Sequence, residues 1–193
     1  GPSLPEHGIR AAELAGIWLP GPLRWWYELV GRRQGIADRQ NNIVSPQRLW
    51  IADNLLGFYV ENQGNCYWAA SLRGQDPAVF WCQQDAAGRV HRVREAEKLS
   101  GFLLQMCFFE AVMGAPFGAN GPVDGNSLAA VLPSLQPAML GPWAWMDTRF
   151  YTRGEVLVLI DGGSTPWIWV AARSPESLSF LRDFHIPWEQ YDS

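Results

Sequence analysis

The sequence predicts an α+β fold, and three observations support this class. The chain has 193 residues, of which 48% are apolar and 18% charged, so it can bury a core and has too little charge for a disordered chain. Segments with apolar residues at helical spacing lie near both ends and in the middle of the chain. Between them lie short segments that are rich in β-branched and aromatic residues and bounded by turn residues.

The helices are predicted from apolar spacing and from the residues that begin and end helices. Leu23, Trp26, Tyr27 and Val30 recur at helical spacing, and Gly31 is a suitable end for that helix. Further helices are predicted at residues 6–16, 128–135 and 174–183.

The strongest helix is predicted over residues 95–114. Its apolar residues form one stripe, and they are Leu99, Phe102, Leu103, Met106, Phe109 and Met113. Glu95 and Glu97 suit the positive end of the helix dipole, so we expect them in its first turn.

The strands are predicted in two groups, one before and one after this helix. The first group comprises residues 58–60, 66–70, 78–82 and 90–93, and the second comprises 156–160 and 167–171. The last two read as a hairpin, and their apolar residues on both faces predict central strands that are covered on both sides.

One domain over residues 3–193 is the predicted organisation. Gly1 and Pro2 have the sequence of a remnant from a cleaved tag, so they are left out of the domain. The stretch 115–126 is rich in Gly and Pro and predicts a loop, which is the one tempting domain boundary. We favour a single domain because each half supplies only a few strands, and a small sheet is hard to stabilise alone.

The charge and the cysteine content of the chain indicate which classes of partner to expect and which cellular compartment. The net charge of −4 argues against nucleic acid as a direct partner and is compatible with a basic protein partner. The longest apolar stretch, 102–117, is interrupted by polar residues and is too short to cross a membrane, so no membrane partner is expected. Cys66, Cys82 and Cys107 are an odd number without metal or redox spacing, so we expect free thiols and a cytoplasmic protein.

The sequence lacks the usual motifs of catalysis and of cofactor or metal binding. Its three histidines are not at metal spacing, and no nucleophile elbow or phosphate-binding loop is present, so no cofactor is predicted. Two enzyme hypotheses stay open. One is a dyad of Cys82 with His91, and the other is a set of carboxylates in which Glu61, Asp76 and Asp161 converge.

Eleven tryptophans are the most unusual number in the composition. Most of them are expected in the core, and a few could form a recognition surface or a platform for carbohydrate stacking. The candidate pairs are Trp25 with Trp26, Trp143 with Trp145, and Trp167 with Trp169. For the last pair the flanking residues are aliphatic, which favours core packing.

One segment contains the block Phe58-Tyr59-Val60-Glu61-Asn62-Gln63-Gly64, followed by Trp68 and by Asp76-Pro77-Ala78-Val79-Phe80. This pattern resembles that of a known family, the SUKH superfamily. Upstream, Leu19-Pro20 followed by Leu23, Tyr27 and Gly31 is similar to the opening of that family. The match covers about residues 15 to 115.

The resemblance implies both a fold and a function. The implied fold is a single α+β domain with one central sheet, mixed or mostly antiparallel, and helices packed on it. The implied function is that of an immunity protein, which binds and neutralises a cognate bacterial polymorphic toxin, often a nuclease, and carries no catalytic residue. A regulatory or scaffold module with a cellular protein partner is the first alternative, and an unrecognised hydrolase or carbohydrate binder is the second.

The same block supplies the predicted contact residues. We expect Glu61, Asn62, Gln63 and Asp76 at the partner surface. The alternative is that Asn62 and Gln63 tie down the backbone of neighbouring loops, because amide side chains and a glycine are typical of tight turns. Leu19, Pro20, Tyr27, Gly31, Gly64, Trp68 and Pro77 are expected to mark the fold.

Overall fold

A computed structural model describes residues 5–30, 39–96, 98–141, 143 and 147–192. The chain divides into two compact units, residues 1–110 and 111–193. The α+β class is confirmed, because helices alternate with antiparallel strands in both units. The strands form two six-stranded sheets instead of the one central sheet expected from the resemblance. The single domain over residues 3–193 stays a prediction.

In its described residues, the first unit contains three α-helices, a short 3₁₀ helix (Pro46–Arg48) and the first sheet. The helices are α1 (Pro5–Leu14), α2 (Gly21–Leu29) and the larger part of α3 (Leu99–Met113). The strands are β1 (Asn42–Ile43), β2 (Trp50–Ala52), β3 (Leu55–Val60), β4 (Tyr67–Ser71), β5 (Val79–Gln84) and β6 (Val90–Ala96). Strands β3 to β6 follow one another in sheet order as in sequence, and β1 and β2 both pair with β3.

The core of the first unit forms around the apolar stripe of α3. Phe102 is fully buried, and its ring meets those of Phe58, Tyr59 and Trp68 at centroid distances of 5.7, 6.2 and 6.0 Å. The register of β3 with β4 shifts between Gly57 and Tyr59. A bulge of this kind bends a strand and changes the direction of its side chains, so two consecutive aromatic residues can both reach Phe102.

The predicted start of α3 is wrong. The helix begins at Leu99, and Glu95 lies in β6, where its buried carboxylate accepts a hydrogen bond from the indole Nε1 of Trp68 at 3.4 Å. Glu97 lies outside the described residues. The negative charge at the helix start is supplied from another segment, since the backbone N–H of Ser100 donates to Asp76 at 2.8 Å.

The second unit holds the second sheet. Its strands are β7 (Phe117–Pro122), β8 (Gln136–Pro137), β9 (Arg149–Arg153), β10 (Val156–Asp161), β11 (Trp167–Ala172) and β12 (Gln190–Tyr191), in the order β12-β7-β11-β10-β9-β8. The predicted hairpin is confirmed as β10 and β11, which are central in the sheet. Helix α4 (Gly125–Val131) and a 3₁₀ helix (Pro175–Asp183) contribute to the core on one face of this sheet.

The predicted loop at 115–126 is wrong, because half of it forms β7. Its glycines allow neighbouring backbone to approach closely. A Cβ atom on Gly118 would lie 2.9 Å from the carbonyl oxygen of Val170, and one on Gly121 would lie 2.7 Å from that of Pro187. Glycine in this strand therefore permits close packing, although the same residues in the sequence are typical of a loop.

The three thiols are free, as expected. Burial raises the pKa of Cys82 to about 11 and also raises the pKa of Cys66 and Cys107. None of the described helices is both long enough and apolar enough to cross a bilayer.

Candidate functional site

The Glu61–Gly64 block forms a turn that is closed by its own hydrogen bonds. The carboxylate of Glu61 accepts from the backbone N–H groups of Gln63 and Asn65, at 3.0 and 3.2 Å. The side-chain amide of Asn65 donates to that of Gln63 at 3.1 Å. Gly64 has a φ of +75°, a conformation that glycine adopts without steric cost. Glu61 and Gln63 of the block, and Asn65 directly after it, therefore form hydrogen bonds within the turn itself.

A buried carboxylate connects this turn to α3. The backbone N–H of Asn62 donates to the side chain of Asn41 at 3.2 Å. The backbone N–H groups of residues 39, 40 and 41 donate to Glu110 at 2.7, 2.7 and 3.0 Å, and the hydroxyl of Tyr59 donates to it as well. Glu110 is 0% exposed. Burial, the first cause, and the adjacent carboxylate raise the pKa of Tyr59, so its hydroxyl stays a donor.

Asp76 and Pro77 hold the start of α3. Both carboxylate oxygens of Asp76 accept from Ser100, one from its backbone N–H and one from its hydroxyl at 2.6 Å. The backbone N–H of Leu99 donates to the carbonyl oxygen of Pro77 at 2.8 Å. These bonds satisfy backbone donors that a helix start leaves free. Asp76 thus caps a helix from a distant segment, and its expected contact with a partner stays a prediction.

The other fold-marking residues lie in or beside the core of the first unit. Leu19, Tyr27 and Trp68 are buried, and the hydroxyl of Tyr27 donates to the carbonyl oxygen of Val44. Pro20 precedes α2 at its N-cap. Gly31 lies outside the described residues.

The structure does not form either of the two predicted catalytic arrangements. Cys82 is opposite Arg92 in the β5–β6 pair, whereas His91 is opposite Gln83, so the Cys82 and His91 side chains leave opposite faces of the sheet. His91 contacts Asp85 instead, at 3.3 Å.

The predicted carboxylates do not form a set either. Glu61 and Asp76 lie beyond opposite ends of β4, a five-residue strand that is about 15 Å long. Asp161 accepts from the backbone N–H of Gly163 within its own turn. In the part of the chain that the structure describes, no three His, Cys, Asp or Glu side chains are arranged to hold a metal ion.

The candidate site that the structure does present is an exposed apolar surface on α2 and on the segment before it. We call Trp18, Trp25 and Leu29 the helical face. Trp25 and Leu29 are 65% and 71% exposed and lie one helical turn apart, and Trp18 is 43% exposed. The neighbouring Trp26 is 6% exposed, so Trp26 belongs to the core whereas the adjacent Trp25 faces the solvent.

Charged side chains border the helical face on one side. Arg24 forms an ion pair with Glu13 of α1 and lies 3.9 Å from Glu28, one turn along α2. A cleft of about 480 Å³ adjoins these residues, and Trp18, Leu19, Arg24 and Gln75 are among its lining residues. An apolar centre with a polar rim is the usual composition of a protein interface, in which tryptophan is enriched.

Trp25 is one of the tryptophans considered above for a recognition surface, and helical spacing explains why it is exposed. The buried stripe of α2 consists of Leu23, Trp26 and Tyr27, as predicted, while the fourth predicted residue, Val30, is half-buried at the C-cap. A helix of nine residues that buries this stripe must turn Trp25 and Leu29 away from it. The helical face therefore follows from the confirmed helix, and the partner contacts expected in the Glu61–Gly64 block stay a prediction.

The two other tryptophan pairs belong to the second unit. Trp143 is fully buried and packs on Phe150 at a centroid distance of 6.2 Å, while Trp145 lies outside the described residues. Trp167 and Trp169 are half-buried with ring centroids 5.9 Å apart.

Comparisons with protein-family models, with curated proteins and with solved structures find no match for this chain. The resemblance to the SUKH superfamily therefore remains a prediction from the residues.

Proposed function

We propose that this protein is an immunity protein that binds and neutralises a cognate bacterial polymorphic toxin in the cytoplasm, without catalysing a reaction. The resemblance of the Phe58–Phe80 segment to the SUKH superfamily suggests this function. The observation that supports it best is the helical face, because three large apolar side chains stand exposed on one short stretch of chain. Exposed apolar patches on a globular protein are often interaction sites.

The helical face also suggests how the toxin would be held. Trp25 and Leu29 would fill pockets of the toxin, since a few buried anchors carry most of the energy of an interface. Glu13 and Glu28 at the rim outnumber Arg24, which favours a toxin with a basic surface, such as a nuclease domain. The negative net charge of the chain would speed association with such a partner.

Co-expression with the toxin encoded beside this gene tests the function. We expect a stable 1:1 complex in size-exclusion chromatography and rescue of growth. If neither appears, this toxin is not the partner. Recovery of housekeeping proteins in a pull-down without any toxin would favour the regulatory or scaffold alternative.

Two matched variants test the surface. We expect Trp25→Ala combined with Leu29→Ala to weaken the complex at least thirtyfold, equivalent to about 2 kcal/mol for the loss of anchor residues. The control is Leu104→Ala, which removes an apolar side chain that is 49% exposed on α3. A complex that survives the double variant unchanged would show that the toxin binds elsewhere.

A further inference from the structure

A second surface of the first unit, apart from the helical face, has a different chemistry. Cross-strand pairing places Phe80 opposite Arg94 and Cys82 opposite Arg92, so these four side chains share one face of the sheet. The apolar cluster on this face consists only of sheet residues among the described part of the chain. Trp50 covers one end of it, since a Cβ atom on Gly57 would lie 2.3 Å from the indole ring.

The other end of this face is an open cleft of about 370 Å³. Leu55, Ser71, Phe80 and Arg92 form its floor, and the β2–β3 turn and the loop after β4 form its rim, with Asp53 and Arg73. Asp53 and Asn54 have φ values of 50° and 60°, which are typical of a tight two-residue hairpin turn. We call this feature the arginine cleft.

The two arginines of the cleft, Arg73 and Arg92, differ in their ion pairing from Arg89 and Arg24 of the same unit. Arg89 is paired with Asp85 at 2.9 Å, and Arg24 is paired with Glu13. Arg73 and Arg92 are exposed, and neither has a carboxylate within ion-pair distance in the ranges that the structure describes. Arg94, two residues after Arg92 on the same strand, lies over the ring of Phe80, with its Cζ atom 5.9 Å from the ring centroid.

We propose that the arginine cleft binds an acidic segment of a protein partner, with carboxylates on Arg73 and Arg92 and an apolar side chain against Phe80. Arginine forms two parallel hydrogen bonds with a carboxylate, and this geometry suits a cleft whose floor is fixed by strand pairing. Phe80 is half-buried, so the cleft offers exposed apolar area beside the charges of its arginines. A protein segment is favoured over nucleic acid because it can place carboxylates only where the two arginines lie and apolar side chains elsewhere. A nucleic acid carries a phosphate at every nucleotide, and Asp53 and the net charge of −4 repel the phosphates that no arginine pairs.

Fluorescence anisotropy with defined probes tests this proposal. The probe is a labelled ten-residue peptide of alternating glutamate and leucine, compared with the same peptide carrying lysine in place of glutamate and with single-stranded oligothymidylate. We expect the acidic peptide to bind most tightly, and the binding to weaken as salt is raised because the ion pairs are screened. Tighter binding of oligothymidylate, or equal binding of the lysine peptide, would overturn the proposal.

Charge variants then locate the binding. Arg73→Glu combined with Arg92→Glu should weaken the acidic peptide at least tenfold, and the milder pair Arg73→Gln with Arg92→Gln should weaken it in the same direction. The control is Arg182→Glu, an exposed arginine in the second unit, which should change the affinity less than twofold. Equal loss in the control, or undiminished binding by both double variants, would show that the peptide does not bind in the cleft. The outcome is independent of toxin binding, since the probe needs no toxin.

Discussion

Replacing Glu110 by Gln tests whether its buried carboxylate is the main polar contact that holds residues 39–41 and Tyr59 to α3. The side chain is 0% exposed and accepts four hydrogen bonds, from the backbone N–H groups of residues 39–41 and from the hydroxyl of Tyr59. Glutamine has almost the same shape and lacks the charge. The substitution therefore changes the chemistry of the link and leaves the packing nearly unchanged.

The expected loss of stability can be worked out from these four bonds. In the best arrangement, the amide oxygen accepts from residues 39 and 40, and the amide NH₂ donates to the Tyr59 oxygen. The N–H of Asn41 then has no acceptor, which costs about 1–3 kcal/mol in a buried site. The two retained backbone bonds lose their charge assistance, at about 1 kcal/mol each. The sum is a loss of about 3–5 kcal/mol in the free energy of unfolding.

Equilibrium unfolding in urea, followed by tryptophan fluorescence, measures this difference. Hydrogen exchange should show reduced protection of the amides of residues 39–41 in Glu110→Gln. Tyr59→Phe, which removes one donor and keeps the carboxylate, should cost less, about 1.5–3 kcal/mol. The control Glu28→Gln, on the exposed side of α2, should change stability by less than about 0.5 kcal/mol. A Glu110→Gln protein within about 1 kcal/mol of the wild type would refute the reasoning.

Three further predictions test other parts of the structure. Gly121→Ala should lower the melting temperature, because the new Cβ would lie 2.7 Å from the carbonyl oxygen of Pro187. The control Gly125→Ala, whose Cβ would meet no neighbouring atom within 4 Å, should not lower it. Equal melting temperatures of the two variants would contradict the close packing of β7. Cys82 should not react with a disulfide reagent at about pH 8 until the protein is unfolded, because burial raises its pKa to about 11; fast labelling of the native protein would contradict this. Asp76→Ala should cost about 0.5–2 kcal/mol by uncapping α3, measured by urea unfolding, and an unchanged midpoint would contradict the cap.

Local patterns in the sequence predicted the elements whose side chains follow one clear period. The stripe of α3 is confirmed, with its first five residues buried, and the hairpin of β10 and β11 is confirmed as central. The stretch 115–126 was predicted wrongly because propensity counts glycine against a strand. Propensity contains no information on the backbone of Val170 and Pro187, whose close approach makes glycine necessary there.

The buried carboxylate of Glu110 and the arginine cleft were harder to predict, since both depend on contacts between distant segments. Glu110 is one polar position in an apolar helix, and only the fold brings residues 39–41 to it. Arg73 and Arg92 are 19 positions apart, and strand pairing brings both to one cleft. The block at Glu61 is conspicuous in the sequence because a closed turn needs those residue types, and the same bonds engage them internally. The motif is therefore explained by the fold, and the expected contact of Glu61, Asn62 and Gln63 with a partner stays a prediction.

The loop between β4 and β5 connects the two candidate surfaces physically. Gln75 lines the cleft beside the helical face, and Arg73, two residues earlier, lines the arginine cleft. Two residues of chain span at most about 7 Å, so the two clefts lie close together at this loop. Asp76, the next residue, fixes the loop to the start of α3. Release of that bond in Asp76→Ala should therefore weaken the acidic peptide in the arginine cleft as well as uncap the helix, although Asp76 does not line the cleft.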